Sequence, residues 1–130
     1  MDQKHKKIAI IGASGFGREV ADIAIDQGCV DIVFLAINPS ADDVMGFPLL
    51  EDNKDVVHSL HNKNYEFAIG IGDPHIRKAV VEKYPFLNYP NLIHSSATFG
   101  YMQKQAIEKK KGNIIRQGDW ILFHKGFFQA

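Results

Sequence analysis

An unbroken apolar run that halts at glycine constrains this chain more than any other feature. Lys7-Ile8-Ala9-Ile10-Ile11 leads into Gly12-Ala13-Ser14-Gly15-Phe16-Gly17, and Arg18-Glu19-Val20 follows. Continuous β-branched sequence suits a parallel strand covered on both faces. Gly12, Gly15 and Gly17 then permit a tight strand-to-helix turn and a close approach of backbone to ligand. The N–H groups that open the helix form a site for a phosphate. The spacing is G-x-x-G-x-G, not the dinucleotide fingerprint G-x-G-x-x-G. The glycines therefore serve either a nucleotide or only a tight connection. Their place between a strand and an amphipathic helix favours the nucleotide.

The pattern continues as alternating elements. Val20, Ile23 and Ala24 recur at helical spacing up to about Gln27, with Gly28 suited to the position after the helix. Val30 to Leu35 reads as a second strand, and Asn38-Pro39-Ser40 as the turn after it. Gly46 to Leu50 reads as a short edge strand, because Pro48 has no N–H to give a central ladder. Val56, Val57 and Leu60 mark the apolar face of a helix between Asp52 and Asn62. Tyr65 to Gly72 is the next strand, followed by Asp73 as helix cap and Pro74 at the first helical position. That helix, Pro74 to Tyr84, is expected to turn Ile76, Val80 and Val81 inward, and Pro90 to His94 forms a last strand. The alternation predicts an α/β, Rossmann-like, doubly wound parallel sheet. Right-handed crossovers place the Gly12–Gly17 and Gly72–Asp73 turns on one carboxyl edge.

Fifteen basic and fifteen acidic side chains cancel, so no net field draws nucleic acid or an anionic membrane to the surface. The short runs Lys4-His5-Lys6-Lys7 and Lys109-Lys110-Lys111 read as solvated flanks. Cys29 is the only cysteine, which excludes an intrachain disulfide, and its apolar surroundings favour a buried thiol. The chain has neither a bilayer-length apolar stretch nor a signal-peptide pattern, so a cytoplasmic location is expected. Among the six histidines, His58 and His61 lie three apart on one helix face without further ligands around them, and no metal site is expected.

Three blocks carry a resemblance: Ile11 to Val20, Phe67-Ala68-Ile69-Gly70-Ile71-Gly72-Asp73 with Arg77, and Leu92-Ile93-His94-Ser95-Ser96-Ala97. Together they resemble the sialic acid O-acetyltransferase (NeuD) and UDP-4-amino-sugar N-acetyltransferase (PglD-type) family. The resemblance implies a nucleotide-sugar-binding domain over residues 1–92. It also implies that residues 93–130 begin a left-handed β-helix of hexapeptide repeats and stop early in it. In that family the β-helix binds acetyl-CoA, carries the catalytic histidine and forms trimers.

By the same resemblance Gly12, Ser14, Gly15, Phe16 and Gly17 cradle the nucleotide, and Gly72, Asp73 and Arg77 form a second contacting turn. The family's acidic pair at the end of the second strand corresponds to Ala36 and Ile37, which accept no hydrogen bond from a side chain. The expected partner is a UDP- or CMP-linked sugar, with no cofactor held by this chain and acetyl-CoA belonging to the longer family members. His94 reads as structural, and His124 has no acidic orienter beside it. No catalytic residue is expected, and self-association is expected through the apolar tail of Ile114, Ile115, Trp120, Ile121, Leu122, Phe123, Phe127 and Phe128. Two further readings stay open: an NAD(P)-binding Rossmann domain, which lacks its ribose-binding acid here, and a docking module without catalysis.

Overall fold

The computed structural model describes residues 6–93 and 114–115. Strand β1 (Lys6–Ile11) runs into helix α1 (Gly15–Asp26), then β2 (Cys29–Ala36). There follow β3 (Asp43–Val44), β4 (Phe47–Glu51), α2 (Lys54–Asn62), β5 (Glu66–Ile69) and α3 (Pro74–Lys83). The described strands of the main sheet number five, in the order β3-β4-β2-β1-β5. β4, β2, β1 and β5 are parallel, and β3 runs antiparallel to β4. This is the Rossmann-like α/β sheet that the alternation predicts.

Both faces of the sheet are covered, which is why β1 needs no polar alternation. Ile8 and Ile10 point to one side, against Val20, Ala21, Ile23 and Ala24 of α1 and Phe34 of β2. Ala9 and Ile11 point to the other, against Val57 and Leu60 of α2, Phe67 of β5 and the Tyr84–Tyr89 segment. Helix α1 ends at the expected place, with Gly28 at φ +90°. Asn53 caps α2 by accepting from the Val56 N–H at 2.9 Å. Cys29 is buried as expected, and burial pushes its thiol pKa up. No helix among the described residues is long and apolar enough to cross a membrane.

Three details differ from the sequence reading. β4 is not an edge strand, since β3 lies outside it. Successive N–H groups of a strand alternate sides, and Leu49 donates outward to Asp42 O at 2.9 Å. Pro48 therefore lacks its N–H on the β2 side, one residue before that ladder begins at Phe34 opposite Leu49. The last strand is shorter than read and does not join the main sheet. β6 (Leu92–Ile93) pairs in parallel with β7 (Ile114–Ile115), while Leu92 packs into the apolar layer that holds α1. On α3, Ile76 is 48% exposed and Arg77 takes the buried position, at 5%. The repeat-like unit after Ile93, His94, His124 and the apolar tail from Trp120 lie outside the described residues.

Candidate functional site

Strand order reverses at β1. The chain moves from β1 outward to β2 and β4, then returns to lay β5 on the other side of β1. A crevice outside the carboxyl ends of the strands at such a reversal is where open α/β sheets bind ligands. Two backbone bonds carry the ladders past the strand ends and into the turns. Gly12 N donates to Leu35 O, and Gly70 N to Ile11 O, each at 2.8 Å.

The glycines of these turns divide into two groups. Gly12 has φ +109°, and a Cβ there would meet Gly70 O at 2.8 Å. A Cβ on Gly17 would run into the Gly12 carbonyl, and one on Gly70 would meet Gly17 Cα at 2.6 Å. Gly12, Gly17 and Gly70 are thus pressed backbone to backbone, locking α1 and β5 against the end of β1. Gly15 and Gly72 have no atom within 4 Å of a Cβ and face open space. Only these two leave room for a ligand to approach. Gly70 was absent from the sequence-derived site, because the spacing of one turn carries no sign of contact with another.

Ser14 occupies the cap position of α1 in extended conformation, and its hydroxyl makes no cap bond. Arg18 N donates to Ser14 O at 3.0 Å, so the N–H groups of residues 15–17 precede the helical ladder. Phe16 turns away and packs against the apolar layer beneath α1. Beside this turn lies a cavity of about 400 Å³ lined by Ala13, Ser14, Arg18, Ala36, Ile37 and Asn38, and continuing along Pro39–Ala41 to Asp43, Val44 and Leu49. Its size is within the roughly 300–1,000 Å³ of small-molecule sites. Of the sequence-derived residues, Ser14, Ala36 and Ile37 line it. Arg18, Asn38, Ser40 and Asp43 also line it but were not singled out; Arg18 stood in the glycine motif itself, whereas Asp43 arrives only through the β3–β4 pairing.

The second turn is organised around its own helix. Asp73 Oδ1 accepts from His75 N at 2.8 Å and from Ile76 N at 3.3 Å, so the carboxylate caps α3. Arg77 Nη1 donates to Ile69 O at 2.8 Å and to Ile71 O at 3.3 Å, bracing the end of β5. Burial lowers the Arg77 pKa. Gly72 and Asp73 are exposed, and neither they nor Arg77 line the cavity beside Ser14.

A larger hollow, about 670 Å³, opens at the opposite, amino edge between Lys6, Lys7, His61, Tyr65 and Asn88. Its charged groups are engaged within the fold. Lys6 Nζ donates to Gln27 O, Lys7 Nζ to Lys63 O, and Glu66 Oε2 accepts from Asn88. The carboxyl-edge cavity, with an uncapped helix start and open polar groups, is the better candidate on chemical grounds. His58 and His61 both pack on the Phe86 ring, at centroid distances of 4.8 and 5.2 Å.

Comparison with known proteins agrees with this fold. Residues 7–84 match the family described as the PglD N-terminal domain. The acetyltransferase domain of PglB from Neisseria gonorrhoeae, solved with acetyl coenzyme A, is similar at 25% identity and TM-score 0.73, over 90% of this chain and 56% of that one. A mutant perosamine N-acetyltransferase from Caulobacter crescentus, solved with CoA and GDP-perosamine, shares the fold at TM-score 0.71 and 20% identity, over 89% and 54%. The chain therefore spans about half the length of these solved structures. No curated protein sequence is similar enough to match.

Proposed function

Because the chain belongs to the PglD N-terminal domain family, we propose that its carboxyl-edge cavity binds a nucleotide sugar as the acceptor substrate of an acetyl-CoA-dependent acetyltransferase. The observation that carries this reading is the cavity of about 400 Å³ that starts at the uncapped opening of α1 and runs past the end of β2. The N–H groups at the helix start and the Ser14 hydroxyl supply donors for a phosphate, and the helix dipole favours its charge. Open space at Gly15 lets the phosphate come close. The nucleoside then extends along Ala36, Ile37 and Asn38.

Ser14, Gly15, Ala36 and Ile37 touch the ligand in this reading, whereas Gly12, Gly17 and Arg77 hold the turns in place. Gly72 and Asp73 meet the portion of the sugar that reaches past β5. Relatives solved with acetyl-CoA or with CoA and GDP-perosamine support both halves of the proposal. Transfer itself needs a base to take a proton from the sugar amine or hydroxyl as that atom attacks the thioester carbonyl, with CoA leaving as the thiol. None of His58, His61 and His75 lines the cavity. We therefore assign the described domain to holding the acceptor, and place the base and the CoA groove outside residues 6–93.

Titration calorimetry of the chain with UDP-, GDP- and CMP-linked sugars, acetyl-CoA and NADH tests the assignment. Binding of a nucleotide sugar, with acetyl-CoA silent, is the expected result. Preferential binding of NADH, or silence with every nucleotide sugar, would refute it.

A further inference from the structure

We infer that the cavity has two recognition poles that its glycine turn does not supply: Arg18 for the diphosphate and Asp43 for the ribose hydroxyls. The inference rests on the nucleotide-sugar reading and adds the residues that select the ligand. Among the described residues lining the cavity, Arg18 is the one cation and Asp43 the one carboxylate. Both are exposed side chains with no ion pair or hydrogen bond to another described side chain, and they are not paired with each other. Arg18 stands one turn into α1, on the side of the uncapped helix start. Asp43 stands across the cavity on β3, held there by the β3–β4 pairing of Asp43 with Pro48.

Opposite charges facing one cavity without meeting suit a ligand that is anionic at one end and rich in O–H donors at the other. A nucleoside diphosphate has that distribution. Arg18 offers a guanidinium fork to the diphosphate oxygens. Asp43 offers two acceptor oxygens to the vicinal 2′- and 3′-hydroxyls, a role that nucleotide sites of this fold commonly give to an acid. Ala36 and Ile37, at the end of β2, have no side-chain acceptor to offer in its place. The other nearby carboxylates do not line the cavity. Glu51 Oε2 accepts from Asn38 N at 3.2 Å, and the half-buried Asp52 sits beside Tyr84 and Lys83 outside the cavity lining.

The test is calorimetry on the full chain with UDP, GDP and their 2′,3′-dideoxy analogues, using wild type, Asp43→Asn, Arg18→Gln and the neighbouring Asp42→Asn as control. Wild type should bind ribonucleotides about tenfold more tightly than dideoxy analogues, the size of a charge-assisted hydrogen-bond contribution. Asp43→Asn should lose that preference and leave dideoxy binding unchanged, while Asp42→Asn matches wild type. Arg18→Gln should weaken both ligand types alike and flatten the salt dependence of binding. Equal wild-type affinity for ribo and dideoxy forms, or an equal loss for both in Asp43→Asn, overturns the Asp43 assignment. Unchanged salt dependence in Arg18→Gln overturns the other pole. Failure of wild type to bind any nucleotide overturns the functional reading itself, which is a separate result.

Discussion

Substituting Gly17 by alanine tests the claim that the two turns are fastened backbone to backbone. The added Cβ would fall on the Gly12 carbonyl, 3.0 Å from its carbon and 3.5 Å from Gly70 O. Neither obstacle is a side chain that can swing aside. Gly12 is itself fixed at φ +109°, with its N–H bonded to Leu35 O. Relief requires α1 to back away from the end of β1, opening the layer that contains Val20, Ala21 and Ala24. Overpacking of this kind costs about 1–3 kcal/mol, and the rigid obstacles place it at the top of that range. Alanine returns about 1 kcal/mol through helix propensity. The net expectation is about 2 kcal/mol of destabilisation, or roughly 8–16 °C in Tm for a domain near this size.

Gly15→Ala is the matched control. Its Cβ meets nothing within 4 Å, so it should gain about 0.4–1 kcal/mol by restricting the unfolded chain. Thermal and urea unfolding followed by circular dichroism read both variants. A Gly17→Ala protein that melts with the wild type, or a Gly15→Ala protein that loses as much, refutes the division of the glycines. Nucleotide affinity should fall in Gly15→Ala despite its higher Tm, since there the methyl group occupies ligand space.

Other expectations follow from individual side chains. Arg77→Met should cost about 1–3 kcal/mol in urea unfolding by removing charged donors from the Ile69 and Ile71 carbonyls, and a lysine there should not restore it fully. Burial raises the Asp52 pKa, with Glu51 adding to the rise and Lys83 and the Tyr84 hydroxyl opposing it. The folded state then binds that proton more tightly than the unfolded one, so this group's penalty is absent at low pH and complete above the raised folded pKa. Asp52→Asn should accordingly raise Tm at pH 7, and the gain should shrink as pH falls toward the ordinary carboxylate range. Cys29, buried and with its pKa raised, should react with a thiol reagent at pH 8 at least about tenfold more slowly in native protein than in urea.

Local signals in the sequence translated directly into structure. The run Ile8–Ile11, the Gly28 terminus of α1 and the Asp73-Pro74 start of α3 each depend on neighbours a few residues away, and each stands where its chemistry places it. What sequence reading missed depends on distant partners. Pro48 signalled an edge, but the outer strand β3 is only two residues long and carries no pattern of its own. Ile76 looked like the inward residue of α3 because apolarity usually decides facing; here the Ile69 and Ile71 carbonyls draw Arg77 under the helix instead. The glycine spacing indicated a nucleotide turn without showing that Gly12 and Gly17 are required for packing. Of the cavity lining, Ser14, Ala36 and Ile37 could be found by position, whereas Asp43 becomes visible only when β3 folds back along β4.

The three-glycine contact also determines where this protein can change. Gly12, Gly17 and Gly70 leave almost no room for a side chain, so the turn between β1 and α1 is a fixed part of the fold. The segment from Ile37 to Ala41, ahead of β3, is less constrained: Ile37 is 73% exposed, and most of its neighbours are exposed with it. Substitutions there rewrite the far wall of the cavity without disturbing the sheet. On the proposed reading, this arrangement would let one nucleotide sugar be exchanged for another by editing a single loop.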